Sequence, residues 1–173
     1  MIILLDEIDK IDSVGVESTL INILDYSQNN KFKDLYMPEI PIDLSKIIFV
    51  LSANNLEHIN KALLDRMHII NIDGYVINDK ISISENFIIP KIIKRLAIDK
   101  NSIVIEKETI KYLINKIDEE RGLRKIEKFL DQIYDRIMLL KNCREINFSF
   151  KLNKPIVFPF KITNKDIDIL IKN

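Results

Sequence analysis

Three short apolar runs, each ending in polar residues and separated by stretches of helical spacing, constrain most what this chain can fold into. The first, residues 1–5 (MIILL), runs directly into Asp6 and Glu7. It is apolar without alternation, as suits a strand of a parallel sheet buried on both faces. The second, residues 46–52 in "KIIFVLSANN", runs through Ser52 into Ala53, Asn54 and Asn55; the third, residues 68–73 in "HIINIDGY", is stopped by Gly74. Between the first two lies "VESTLINILDYSQNN", whose Val16, Leu20, Ile23 and Leu24 predict a helix ending near Asn29. The following "KFKDLYMPEIPIDL", with two prolines, reads as a loop or short ribbon, and "LEHINKALLDRM" as a short helix. Strand, helix, strand, helix, strand is the order of a parallel sheet with crossover helices. Such open sheets bind ligands beyond the carboxyl ends of their strands, where Asp6 and Glu7 fall.

From about residue 77 the pattern turns helical. "NDKISISENFI" and "PKIIKRLAI" read as consecutive helices, with Pro90 in a first turn where its missing N–H costs nothing. "EKETIKYLINKIDEE" gathers Ile110, Leu113, Ile114 and Ile117 on one face. In "GLRKIEKFLDQIYDRIMLLKN", Leu123, Ile126, Leu130, Ile133, Ile137 and Leu140 repeat in steps of three and four, the clearest helix in the chain. "EINFSF" and "VFPFKI" suit short strands, and Thr163 a cap for a last helix, "NKDIDILIK". The expected division is an α/β part over 1–75 and a mostly helical part over 76–173.

The chain has 173 residues, 47% apolar and 30% charged, a globular composition with room for one domain or two small ones. Its 26 basic and 26 acidic residues leave no net charge, so no overall field points to nucleic acid or anionic lipid. No apolar run approaches a membrane span. The single Cys143 excludes an internal disulfide and fits the cytoplasm or another reducing compartment.

An apolar strand ending in Asp-Glu matches the magnesium-side motif of P-loop ATPases, in which the Asp helps hold the Mg²⁺ bridging the β- and γ-phosphates. The neighbouring Glu can orient and activate the attacking water, since the first carboxylate stays with the metal. The plainer alternative is a pair of helix-start acids favoured by the macrodipole. Asn54, a neutral amide at the tip of the second strand, can bond both a phosphate oxygen and a water; as plain loop formers, Asn54 and Asn55 need no such role. Arg66, in "LLDRM", is either a surface residue at a helix end or an arginine finger reaching a neighbouring subunit's γ-phosphate. Arg121, Arg124 and Lys125 crowd cations at the start of the longest helix. That opposes its macrodipole but suits an anion held at the helix end.

Taken in order, "IILLDEIDKI", "ILDYSQNNKFKDLY", "IIFVLSANN", "LLDRMHIINIDGY" and "RGLRKIEKFL" resemble the ATPase module of Lon-family AAA+ proteases, across nearly the whole chain. The Asp-Glu pair is common to AAA+ proteins, whereas "LDYSQNNKF" and "LLDRMHIINIDGY" are much more Lon-like. The resemblance implies an α/β fold: an incomplete parallel-sheet P-loop ATPase core of AAA+ type, followed by a mostly helical lid. It implies ATP and Mg²⁺ as cofactors, with Asp6 the Mg²⁺-associated aspartate and Glu7 the catalytic glutamate. Asn54 corresponds to the sensor-1 residue, Arg66 to the arginine finger and Arg124 to the sensor-2 arginine. Protein substrates and a homo-oligomeric ring are the implied partners.

Departures from the family pattern limit what is expected. Lon proteins hold nucleotide with a glycine-rich loop ending in Gly-Lys-Ser/Thr, upstream of the Asp-Glu pair. None of Gly15, Gly74 and Gly122 is followed by lysine, so these residues contain no such cradle. The family's aromatic substrate-gripping loop is likewise upstream, and its protease domain with a Ser-Lys dyad would follow. The sequence therefore reads as the middle of a Lon-like ATP-dependent protease, inactive alone. A non-catalytic module docking on an intact AAA+ ring is the alternative from another class. A clamp loader is a third, opposed by the Lon-like residues 24–37.

Overall fold

A computed structural model describes residues 1–117, 121–143, 148, 150–152 and 154–172. The chain forms two compact units, Met1–Asn71 and Ile72–Asn173.

In the first unit, β1 (Ile2–Leu5) leads through a single 3₁₀ turn (Ile8–Lys10) to α1 (Val14–Leu24). A two-residue antiparallel ribbon follows, β2 (Phe32–Lys33) with β3 (Pro41–Ile42), then β4 (Ile48–Leu51) and the short α2 (Lys61–Leu64). Strand β1 pairs in parallel with β4, in the register Ile2 with Ile48 through Leu5 with Leu51. Crossover α1 makes this pairing possible, since parallel neighbours need a long connection. The core is small: Ile8, Leu20, Ile59 and Leu63 are buried, with Leu5, Ile21, Leu24 and Leu51 packed against them.

Three expectations fail here. Strand β1 is covered on one face only: Ile3 and Leu5 are half-buried, whereas Ile2 and Leu4 are 68% and 66% exposed, and β4 repeats the alternation. Residues 68–73 form no strand, and Ile69, Ile70 and Ile72 stand in solvent. A strand exists through its ladder, and these residues have no neighbouring strand to pair with. Helix α1 stops at Leu24 rather than near Asn29. Asp25 turns extended (φ −78°, ψ 101°), and its carboxylate accepts the Ser27 N–H at 3.0 Å and the Ser27 hydroxyl at 2.6 Å. A local side-chain bond thus competes with the helix and ends it.

The second unit holds most of the buried surface. Helices α3 (Ile77–Ile83) and α4 (Ile89–Leu96) are joined by a π-helical turn, Ser84–Ile88. Strand β5 (Ile103–Ile105), α5 (Lys107–Lys116), α6 (Arg124–Asn142), β6 (Phe160–Ile162) and α7 (Asn164–Leu170) follow. The expected stripe of α6 is its core face: Ile126, Leu130, Ile133 and Ile137 are buried against Ile110 and Leu113 of α5 and Ile167 and Leu170 of α7. Thr163 caps α7 in a full capping box: its hydroxyl accepts the Asp166 N–H, while Asp166 accepts the Thr163 N–H at 2.8 Å. Of the two short strands expected near the end, the one within "VFPFKI" is β6, paired in parallel with β5. "EINFSF" falls largely outside the described residues.

Candidate functional site

The parallel pairing of β1 with β4 brings two strand ends together, and the residues just beyond them interlock. The Ser52 N–H donates to the Leu5 carbonyl at 2.9 Å, and the Ile8 N–H donates to the Ser52 carbonyl at 3.0 Å, so the ladder runs on past both strands. The Ser52 hydroxyl accepts the Glu7 N–H at 3.0 Å and itself donates to Asp6 Oδ1. One serine therefore ties both acids of the pair to the end of β4. Asp6 and Glu7 remain exposed, and Asn54 is exposed two residues beyond Ser52.

Glu7 sits in the left-handed region (φ 55°, ψ 47°), one of two non-glycine residues there among those described. An L-residue pays roughly 1–2 kcal/mol for this conformation, and such backbone persists only where surroundings over-determine it. Here the Ser52 bond to its N–H and the Ile8 bond beyond it fix the turn. The Glu7 side chain accepts from Lys10 Nζ at 2.7 Å, and that hydrogen bond raises the Lys10 pKa. Residues Ile8–Lys10 then form one 3₁₀ turn, with too few aligned peptides to reward acids as a helix start would.

Arg66 lies just after α2. Its Nη1 donates to the Ala62 carbonyl at 2.7 Å and its Nη2 to Asp25 Oδ2 at 3.2 Å, an ion pair between residues 41 apart in sequence. The Asp25 pKa is lowered, first by the Ser27 bonds and then by Arg66. Arg124 opens α6 in the second unit and is exposed; the residue before it, Leu123, gives the helix no side-chain cap. Asp6, Glu7 and Asn54 thus gather at one end of the small sheet, Arg66 belongs to the same unit, and Arg124 to the other.

Sequence reasoning assigns no role to Ser52 or Asp25. A hydroxyl directly after an apolar strand is the available signal for Ser52. For Asp25 there is none, because its partner is set by the tertiary fold.

Among the described residues no three His, Cys, Asp or Glu side chains are placed to hold a metal by themselves. One exposed carboxylate beside a serine hydroxyl nevertheless suits Mg²⁺, which keeps waters and takes one or two carboxylates plus substrate phosphates. The donor set thus fits the metal as part of a nucleotide complex. No helix among the described residues is long and apolar enough to cross a membrane.

Residues 1–74 match the family model "ATPase family associated with various cellular activities (AAA)". The chain is 43% identical over 141 residues to the mitochondrial Lon protease homolog of Scheffersomyces stipitis, covering 80% of this chain and 13% of that protein. It is 45% identical over 140 residues to Lon protease 2 of Borreliella burgdorferi, covering 79% and 18%. The mitochondrial Lon protease homolog of Saccharomyces cerevisiae matches at 39% over 142 residues, 80% of this chain and 12% of the relative. The chain thus spans less than a fifth of the length of these relatives.

Proposed function

Since this chain belongs to the Lon protease family, as a stretch of its AAA+ module, we propose that it supplies the metal-side half of an ATP site together with the lid. The observation that carries this reading is the interlock at the ends of β1 and β4, where Ser52 binds Asp6 through its hydroxyl and the Glu7 backbone through the same oxygen.

In this reading Asp6 holds Mg²⁺, and the metal, when bound, neutralises charge on the β- and γ-phosphates. Glu7 accepts the proton of the attacking water, as an exposed carboxylate beside Asp6 can. Asn54 hydrogen-bonds the γ-phosphate and the water without adding charge. Arg66 serves a neighbouring copy's site within a homo-oligomeric ring, and Arg124 meets the nucleotide from the lid. The coupled work is unfolding protein substrates for degradation, in the cytoplasm or another reducing compartment.

With no Gly-Lys-Ser/Thr loop in these 173 residues, the stretch by itself hydrolyses no ATP and binds it weakly. Calorimetry and a phosphate-release assay on the isolated chain test this. Low-micromolar ATP binding that is lost in Glu7→Gln or Arg124→Ala would overturn it. A second reading, a non-catalytic module docking on an intact ring, is favoured by one observation, the solvent-facing Ile2, Leu4, Ile48 and Val50 on one face of the sheet.

A further inference from the structure

We infer that Asp25 is a positioning residue for Arg66. The two oxygens of its carboxylate have separate tasks. Oδ1 accepts the Ser27 N–H at 3.0 Å and the Ser27 hydroxyl at 2.6 Å, which closes the turn after α1. Oδ2 faces the other way and accepts Arg66 Nη2 at 3.2 Å. The Asp25 backbone is held as well: its carbonyl accepts the Gln28 and Asn29 N–H groups at 3.0 and 2.8 Å. The carboxylate is therefore a fixed point rather than a flexible surface acid.

Arg66 gains direction from this. Nη1 bonded to the Ala62 carbonyl and Nη2 bonded to Asp25 fix the plane of the guanidinium from two sides. The side chain is still 32% exposed, and a guanidinium has five N–H donors, so donors remain for an anion arriving from outside the unit. A plain helix-end role does not account for the arrangement. Helix α2 has four residues, too short for a terminal charge to matter much, and the Asp25 contact reaches off the helix altogether. A guanidinium used in trans must be held at a fixed angle before the partner's phosphate arrives, since misplacement by 1 Å costs on the order of 10²-fold in rate. Asp25 supplies that angle. This inference rests on the proposed arginine-finger reading for its catalytic meaning, and on the hydrogen bonds alone for its structural content.

The test has two arms. In the ¹⁵N-labelled full chain, the Arg66 Nη–H signals should be dispersed and slow to exchange in the unmodified protein, because both Nη groups are hydrogen-bonded. They should collapse to the free-arginine position in Asp25→Ala and stay dispersed in Ser27→Ala, which removes the hydroxyl bond to Oδ1 and leaves the backbone N–H bond to it in place. An unchanged signal in Asp25→Ala overturns the inference, as does an equal collapse in Ser27→Ala, which would make the effect a loosened turn. In the second arm, the chain is mixed with an intact Lon-family ring and ATP turnover is followed. Arg66→Ala and Asp25→Ala should both lower kcat with little change in KM, and the double variant should match Arg66→Ala alone. Additive losses would overturn positioning. If Arg66→Ala leaves turnover unchanged, the finger reading falls, and the NMR arm alone upholds or overturns the link between Asp25 and Arg66.

Discussion

Replacing Glu7 by glycine should leave the first unit more stable than replacing it by alanine, although glycine is the more flexible residue. Glu7 adopts φ 55°, ψ 47°. An L-alanine there keeps a cost of about 1–2 kcal/mol, which glycine does not pay. Against this, glycine gives the unfolded chain more freedom, worth about 0.4–1 kcal/mol. The Lys10–Glu7 ion pair is lost in both variants and cancels in the comparison. The difference should favour Glu7→Gly by about 0.5–1 kcal/mol, a factor of roughly 2–5 in an opening equilibrium. Amide exchange reads it directly at the Ser52 N–H, which is bonded to Leu5, and at the Ile8 N–H, bonded to Ser52. Both should exchange about 2–5-fold more slowly in Glu7→Gly than in Glu7→Ala. Equal rates, or slower exchange in the alanine variant, would refute the left-handed turn at Glu7.

Other outcomes concern the second unit. Tyr134 is fully buried with no partner for its hydroxyl, and burial pushes its pKa above the usual value near 10. Its folded pKa is raised, so its contribution is complete below about pH 10 and is lost as pH climbs above that value. Chemical denaturation as a function of pH should show this loss, and Tyr134→Phe should remove it at little or no cost near neutrality. Gly74→Ala should destabilise the second unit by about 1–3 kcal/mol in urea unfolding. A Cβ there would lie 2.8 Å from Arg121 Cβ and 3.0 Å from the Arg121 carbonyl oxygen, and the adjacent Tyr75 N–H donates to that same carbonyl. Hydrogen exchange of the whole chain should find amides of α5 and α6 outlasting those of β1 and β4, because the first unit buries so few side chains; uniform strong protection over residues 1–75 would contradict this.

Periodicity makes α6 legible, because a stripe repeating every three or four residues can be buried in only one way. The Thr163 cap is legible because its partner, Asp166, is three residues away. Residues 68–73 look equally like a strand, yet strand formation depends on a neighbouring ladder that these residues lack. Strand β5 escapes notice for the converse reason. "IVI" is too short to signal by itself, and its partner β6 begins at Phe160, 57 residues after Ile103. The Asp-Glu pair stands out through its position after an apolar run. The Ser52 clasp and the Asp25–Arg66 pair do not, since both join residues more than 40 apart and arise only when β1 meets β4 and α1 meets α2.

That Asp6 and Glu7 form the metal side of an ATP site can be tested by giving these residues the phosphate loop they lack. A Lon-family stretch ending in a Gly-Lys-Ser/Thr loop would be fused ahead of residues 1–173, and Mg²⁺-dependent ATP hydrolysis measured in the fusion and in its Glu7→Gln form. The account predicts hydrolysis by the fusion, and in Glu7→Gln retained ATP binding with turnover lost. A folded, ATP-binding fusion that hydrolyses equally fast with Glu7→Gln would contradict it.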